Sequence, residues 1–153
     1  MPRNKPPALA AASVDEVENA FYDALQKADL EALMAVWADD DDVSCVHPGG
    51  PRLIGPAAIR ASYEALFASG RIDAEPLHVR RHESHGIAVH SVVERLRGAA
   101  PEAARGARVA YVLATNVWTR TGSGWRLVSH HASPGTGDES EAAGDTTQPA
   151  TLH

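Results

Sequence analysis

The sequence predicts an α+β domain from about Val14 to Pro134, in which three helices come first and a curved, mixed but mainly antiparallel sheet comes last. Three observations carry the prediction. Apolar residues recur at helical spacing in three segments before Gly70. From Ile72 the period changes to alternation. Short turn signals, Ser84-His85 with Gly86 and Gly122-Ser123-Gly124, then divide the second half into hairpins.

Ser13-Val14-Asp15-Glu16 has the form of a capping box, in which the Ser hydroxyl and the Glu carboxylate each satisfy an orphan amide at a helix start. Val14, Val17, Phe21, Ala24 and Leu25 share one face, so the first helix runs to about Lys27. Asp29 caps a short second helix with Leu30, Leu33, Met34 and Trp37 on its apolar face. Carboxylates are unfavourable at a helix C-terminus, so the run Asp39 to Asp42 places the exit near Ala38. Val43 to His47 reads as a strand, Pro48-Gly49-Gly50-Pro51 as a turn and Leu53-Ile54 as a brief pairing segment. Pro56 suits the first position of a third helix, with Ile59, Tyr63, Leu66 and Phe67 buried and Gly70 as its stop. Four strands follow, at about Ala74 to Glu83, Gly86 to Arg97, Ala107 to Arg120 and Gly124 to Ser133, with a long exposed loop from Gly98 to Gly106.

The remainder of the chain bounds what this domain does. At 153 residues there is room for one domain with a core that needs no metal or disulfide. Residues 1–12 read as a flexible lead, too short and alanine-rich for a signal-peptide core, 13–134 as the domain, and 135–153 as a disordered tail. A net charge of -6 without clustered Lys and Arg argues against nucleic acid, and no run is apolar enough to cross a membrane. Cys45 stands alone, which precludes an internal disulfide and suits a reducing, cytoplasmic setting. No metal site is expected: His78 and His82 face away from His90, and Val43 and Ser44 stand where a calcium loop off Asp39 needs its third ligand and glycine.

A two-residue turn at Ser84-His85 puts Leu77 and Val79 on one face with Ala88, His90, Val92 and Glu94. The same step at Gly122-Ser123 opposes Trp118 to Leu127, Asn116 to Ser129 and Ala114 to His131. One face then carries His90, Glu94, Asn116, Trp118 and His131; the other carries Val89, Val93, Val117, Val128 and His130. A single bulge in either hairpin reverses the assignment. Three short helices cover one face only, so the other is expected to meet a second subunit. Polar groups pointing into a helix-covered, curved sheet describe a cone with a pocket.

Val36-Trp37-Ala38-Asp39, Val46-His47-Pro48-Gly49, Thr115-Asn116-Val117-Trp118 and Gly124-Trp125-Arg126-Leu127-Val128, leading into His130-His131-Ala132-Ser133, resemble the SnoaL-like group of the nuclear transport factor 2 (NTF2) superfamily. The chain is similar also to the association domain of calcium/calmodulin-dependent protein kinase II, in which a Trp-containing hairpin of the same length leads to a histidine and serine close. The resemblance implies a conical α+β barrel, a pocket between helices and sheet, and homodimers through the outer sheet face. In the kinase domain, pocket arginines fall where this chain has Glu94 and Asn116, a departure that implies a less anionic ligand.

Other members of the superfamily isomerise ketosteroids or cyclise polyketides through a carboxylic acid or His in an apolar cavity, where burial raises a carboxyl pKa toward neutrality. Two functions follow. One is a cofactor-independent isomerase, cyclase or hydratase acting on a small hydrophobic or carbonyl-bearing molecule. In it Glu94 or His131 moves a proton, Asn116 holds a polarised oxygen, and Tyr22, Trp37, His47, His90 and Trp118 contact the ligand. The other is a non-catalytic ligand-binding or oligomerisation module. There Glu94 is a structural acid paired with Arg81, a His or water, His47 anchors its loop, and Tyr22 and Trp37 belong to the core.

Overall fold

The computed structural model describes residues 9–98 and 108–136. The expected loop beyond Gly98, most of the lead and nearly all of the tail lie outside the described residues. Helix α1 spans Val14–Lys27 and starts with the capping box: Glu16 N donates to Ser13 Oγ at 3.1 Å and Ser13 N to Glu16 Oε1 at 2.8 Å. Its buried face holds Val17, Phe21, Tyr22 and Leu25, and with them Glu18. Helix α2 is Leu30–Ala35, capped by the Asp29 side chain. It ends before the predicted Ala38 because the chain there pairs with the sheet instead: Ala38 N donates to Leu127 O and Leu127 N to Val36 O. Helix α3 is Pro56–Phe67, with Pro56 in its first turn, and buries Ile59 and Tyr63; Leu66, expected inside, is 41% exposed. Among the described residues no helix is long and apolar enough to cross a membrane.

The strands are β1 (Ser44–Val46), β2 (Arg52–Ile54), β3 (Ala74–Ser84), β4 (Ile87–Gly98), β5 (Arg108–Thr121) and β6 (Gly124–Pro134). They form one sheet in the order β2-β1-β6-β5-β4-β3, antiparallel except where β1 runs parallel to β6. Strands β2 and β3 remain edges, so the expected cone is an open one and the sheet does not close into a barrel. The helices pack on its concave side around a core that includes Phe21, Leu33, Ile59, Val92, Trp118 and Leu127.

Two register expectations are corrected. The first hairpin turns on His85-Gly86, not Ser84-His85, with both residues at positive φ (46° and 80°) and Ser84 paired to Ile87. A bulge follows between Leu77 and Arg80, with His78 at φ 49°, so Leu77 pairs with Val93 on the outer face while Val79 still packs against the core. The second hairpin keeps Trp118 opposite Leu127, but β6 inserts one residue before Ser129, which pairs with Val117. Asn116 therefore opposes His130, and Ala114 opposes Ala132. His130 turns inward and His131 outward, the reverse of the expected pair.

Candidate functional site

Glu18 and Tyr22 lie one helical turn apart, so both side chains leave α1 on the face that meets β4 and β5. There they join a network of buried polar groups. Tyr22 Oη donates to Glu94 Oε2 at 2.7 Å. Asn116 Nδ2 lies 3.1 Å from Tyr22 Oη and 3.0 Å from Glu18 Oε2. His90 Nδ1 is 2.8 Å from Glu18 Oε1, and His130 Nδ1 is 2.6 Å from Asn116 Oδ1. No member of the six is more than 5% exposed. Buried polar atoms left unpaired are costly, so a network connected through one amide fixes the rotamers of all its members.

A cavity of about 360 Å³ opens onto one end of this network, between α1, α3 and the sheet. Leu25, Leu66, Ile72, Ala74 and Leu96 supply apolar walls, and Glu94, His130, His47 and Tyr63 supply the polar groups. Burial pushes the Glu94 carboxyl up to about 7; the Tyr22 hydrogen bond opposes the shift and the nearby Glu18 adds to it. Burial, with His47 and His131 as further causes, lowers His130 to about 3, so its ring is neutral at ordinary pH. Tyr22 and Tyr63 are raised well above the usual phenol range, chiefly by burial, and both remain donors. Burial pushes the Cys45 thiol up to about 11, which removes it as a nucleophile.

Of the residues singled out from sequence, the structure brings Tyr22, His90, Glu94 and Asn116 into one network and places His47 on the cavity wall, where Nε2 lies 2.6 Å from Ser62 Oγ. Trp118 is fully buried beside His90 and does not line the cavity. Trp37 is elsewhere, in a second groove of about 350 Å³ with Met34, Pro56 and Arg60. His131 is exposed on the outer face and has no access to the cavity. Arg81 pairs with Asp15 at 2.9 Å, leaving Tyr22 as the partner of Glu94.

Sequence reasoning missed Glu18 and Tyr63 as site residues, and it held the inward turn of His130 only as the alternative that a bulge produces. Glu18 had a signal, because it sits four residues from both Val14 and Tyr22 in an otherwise apolar stripe. Asp15, Glu18 and His90 also present metal-type donors within 4.8 Å of one another, but Arg81 holds Asp15, and Glu18 and His90 hold each other.

The SnoaL-like domain family matches residues 14–137. Among solved structures, a provisionally named calcium/calmodulin-dependent protein kinase type II association domain from Thiobacillus denitrificans is 37% identical. The match has a TM-score of 0.71 and covers 81% of this chain and 96% of that one. A protein from Streptomyces avermitilis, provisionally named a dehydratase of the NTF2-like family, is 33% identical at a TM-score of 0.70, covering 80% of this chain and 94% of the other. A CaMKII hub from S. rosetta shares the fold at 19% identity and a TM-score of 0.63, covering 87% and 100%. No curated protein matches the chain.

Proposed function

The chain belongs to the SnoaL-like domain family and has the NTF2-like cone fold; from that premise we propose that it is a cofactor-independent acid–base enzyme of the isomerase, cyclase or hydratase–dehydratase kind. The observation that carries the reading is Glu94, a carboxyl at an apolar cavity with a pKa of about 7 and one oxygen held by Tyr22. A group whose pKa lies near the working pH is both deprotonated often enough to take a proton and acidic enough to return it. Oε1 of Glu94 has no protein partner among the described residues and is the atom that meets the substrate. Tyr63, whose hydroxyl among the described residues has only a 3.7 Å contact to Cys45 Sγ, is the donor available to a substrate carbonyl as its oxygen gains charge. Asn116 takes a positioning role, since its amide is already shared among Glu18, Tyr22 and His130. Among the described residues the cavity wall has no Lys or Arg to hold an anion and its apolar walls are Leu25, Leu66, Ile72, Ala74 and Leu96, which favours a substrate that is not anionic and is largely apolar. The S. avermitilis name agrees with the dehydratase branch of this reading.

A panel of carbon acids tests the reading without the natural substrate in hand. The protein is incubated in D2O with cyclic enones and β-hydroxy ketones, and deuterium uptake at carbon is read by mass spectrometry. Uptake is expected to rise with pH through about 7 and to fall by about 100-fold or more in Glu94→Gln. Uptake that Glu94→Gln leaves unchanged overturns the assignment.

A second reading, an oligomerisation module, is favoured by the outer sheet face, where Ile87, Val109 and Leu113 are exposed, and by the association-domain relative. It is compatible with the first. A homodimer formed through that face leaves the cavity on the opposite side of the sheet.

A further inference from the structure

We infer that Glu18, acting through the Asn116 amide, holds His130 as the Nδ1–H tautomer, so that the cavity offers a hydrogen-bond acceptor and selects ligands bearing a hydroxyl or N–H group. The ligand half of this inference rests on the cavity reading above; the tautomer half does not.

One chain of hydrogen bonds leads from Glu18 to the cavity. An asparagine side chain has a donor end and an acceptor end, and its orientation follows from its neighbours. At Asn116 one end faces Glu18 Oε2 at 3.0 Å and Tyr22 Oη at 3.1 Å. A carboxylate only accepts, and the Tyr22 hydrogen is already given to Glu94, so both neighbours call for the NH2 end. The oxygen end is then fixed toward His130, 2.6 Å from Nδ1. An amide oxygen cannot donate, so Nδ1 carries the hydrogen. A neutral imidazole has only one, which leaves Nε2 with a lone pair. Nε2 has no protein partner among the described residues, and the ring lines the cavity with Glu94. Glu18 and Asn116 touch no ligand themselves. They are positioning residues, and a buried carboxylate set back from the cavity wall behind Asn116 and His130 gains a reason to be there.

A site built to accept a hydrogen bond rejects an analogue that cannot donate one, because its buried acceptor is then left unpaired. A hydroxyl-bearing ligand therefore binds and its O-methyl ether does not.

The tautomer is read by 15N NMR of the histidine ring nitrogens in the intact, ligand-free protein. The wild type is expected to show His130 protonated at Nδ1; protonation at Nε2 overturns the inference without any variant. In Glu18→Gln the new amide can face Asn116 with either end, so a substantial population of the Nε2–H form is expected. Should that variant not fold, Glu18→Asp, which withdraws the same acceptor by one methylene, is expected to show a smaller population. An unchanged tautomer in a folded variant removes Glu18 from the role. On the ligand side, 2-naphthol is expected to shift the His130 Nε2 resonance and 2-methoxynaphthalene to leave it in place; equal shifts overturn the selectivity. None of these readouts depends on turnover, so the acid–base function can fail while the tautomer assignment stands, and the reverse.

Discussion

The burial that raises the Glu94 pKa is a burden on the fold. That pKa, raised from an ordinary 4.5 to about 7, means the folded protein holds this proton more tightly than the unfolded chain does. The stabilisation is therefore fully present below pH 4.5 and is lost as the pH rises through 7, a difference on the order of 3 kcal/mol for a shift of this size. Glu94→Gln cannot ionise and keeps an oxygen to accept from Tyr22. Its melting temperature is expected to match wild type near pH 4.5 and to exceed it by several degrees at pH 8; scanning calorimetry of the two proteins across that range checks the sign. The residue scale was also where the sequence was most uneven as a guide. Alternation in β4 was enough to put His90 and Glu94 on the inner face, because a strand with no bulge of its own preserves parity. Which histidine of the pair in β6 faces inward was legible only as an alternative, since one inserted residue decides it and leaves no mark on the pattern.

At the scale of elements, the helices were legible because their ends carry local chemistry: the capping box at Ser13, Asp29 before α2 and Pro56 in α3 each act within a few residues. The early end of α2 was not, because the partner that draws Val36 and Ala38 out of the helix is Leu127, far along the chain in β6. The same holds for the 3₁₀ turn Leu9–Ala11, which forms where a flexible lead was expected and packs against the start of β6. Gly124 is what admits it. A Cβ there would lie 2.7 Å from Leu9 O and 2.9 Å from Ala10 Cα, and φ is +105°, so a side chain meets both a backbone clash and an unfavourable conformation. Gly124→Ala is expected to cost about 1–3 kcal/mol, whereas Gly122→Ala two residues earlier, with nothing within 4 Å, should stay within about 0.5 kcal/mol. Urea unfolding of the pair separates the two.

For the whole molecule, the open cone has two faces with different occupants. Helices α1 to α3 cover the concave side and leave the cavity in it; among the described residues nothing covers the convex side. Leu113 and Val109 are 38% and 44% exposed there, with Val89, Val93 and Val117 half-buried around them across β4 and β5. On this side of the paired strands Val93 opposes Leu113 and Val89 opposes Val117, with the Ser91–Thr115 pair between them, so apolar cross-strand pairs share one face with a few small polar residues. Exposed apolar side chains gathered on one face are the expected site of an interaction, and the homodimer proposed above would bury them by twofold symmetry. Leu113→Arg places a guanidinium in the middle of that contact, where two copies would meet like charge without a partner. Light scattering coupled to size exclusion is expected to give a dimer for wild type and a monomer for Leu113→Arg. Deuterium uptake on the ketone panel should persist in the monomer, because Leu113 points away from Glu94 through the thickness of the sheet. A wild type that runs as a monomer at high micromolar concentration, or a Leu113→Arg variant that remains dimeric, shows that this face has some other occupant.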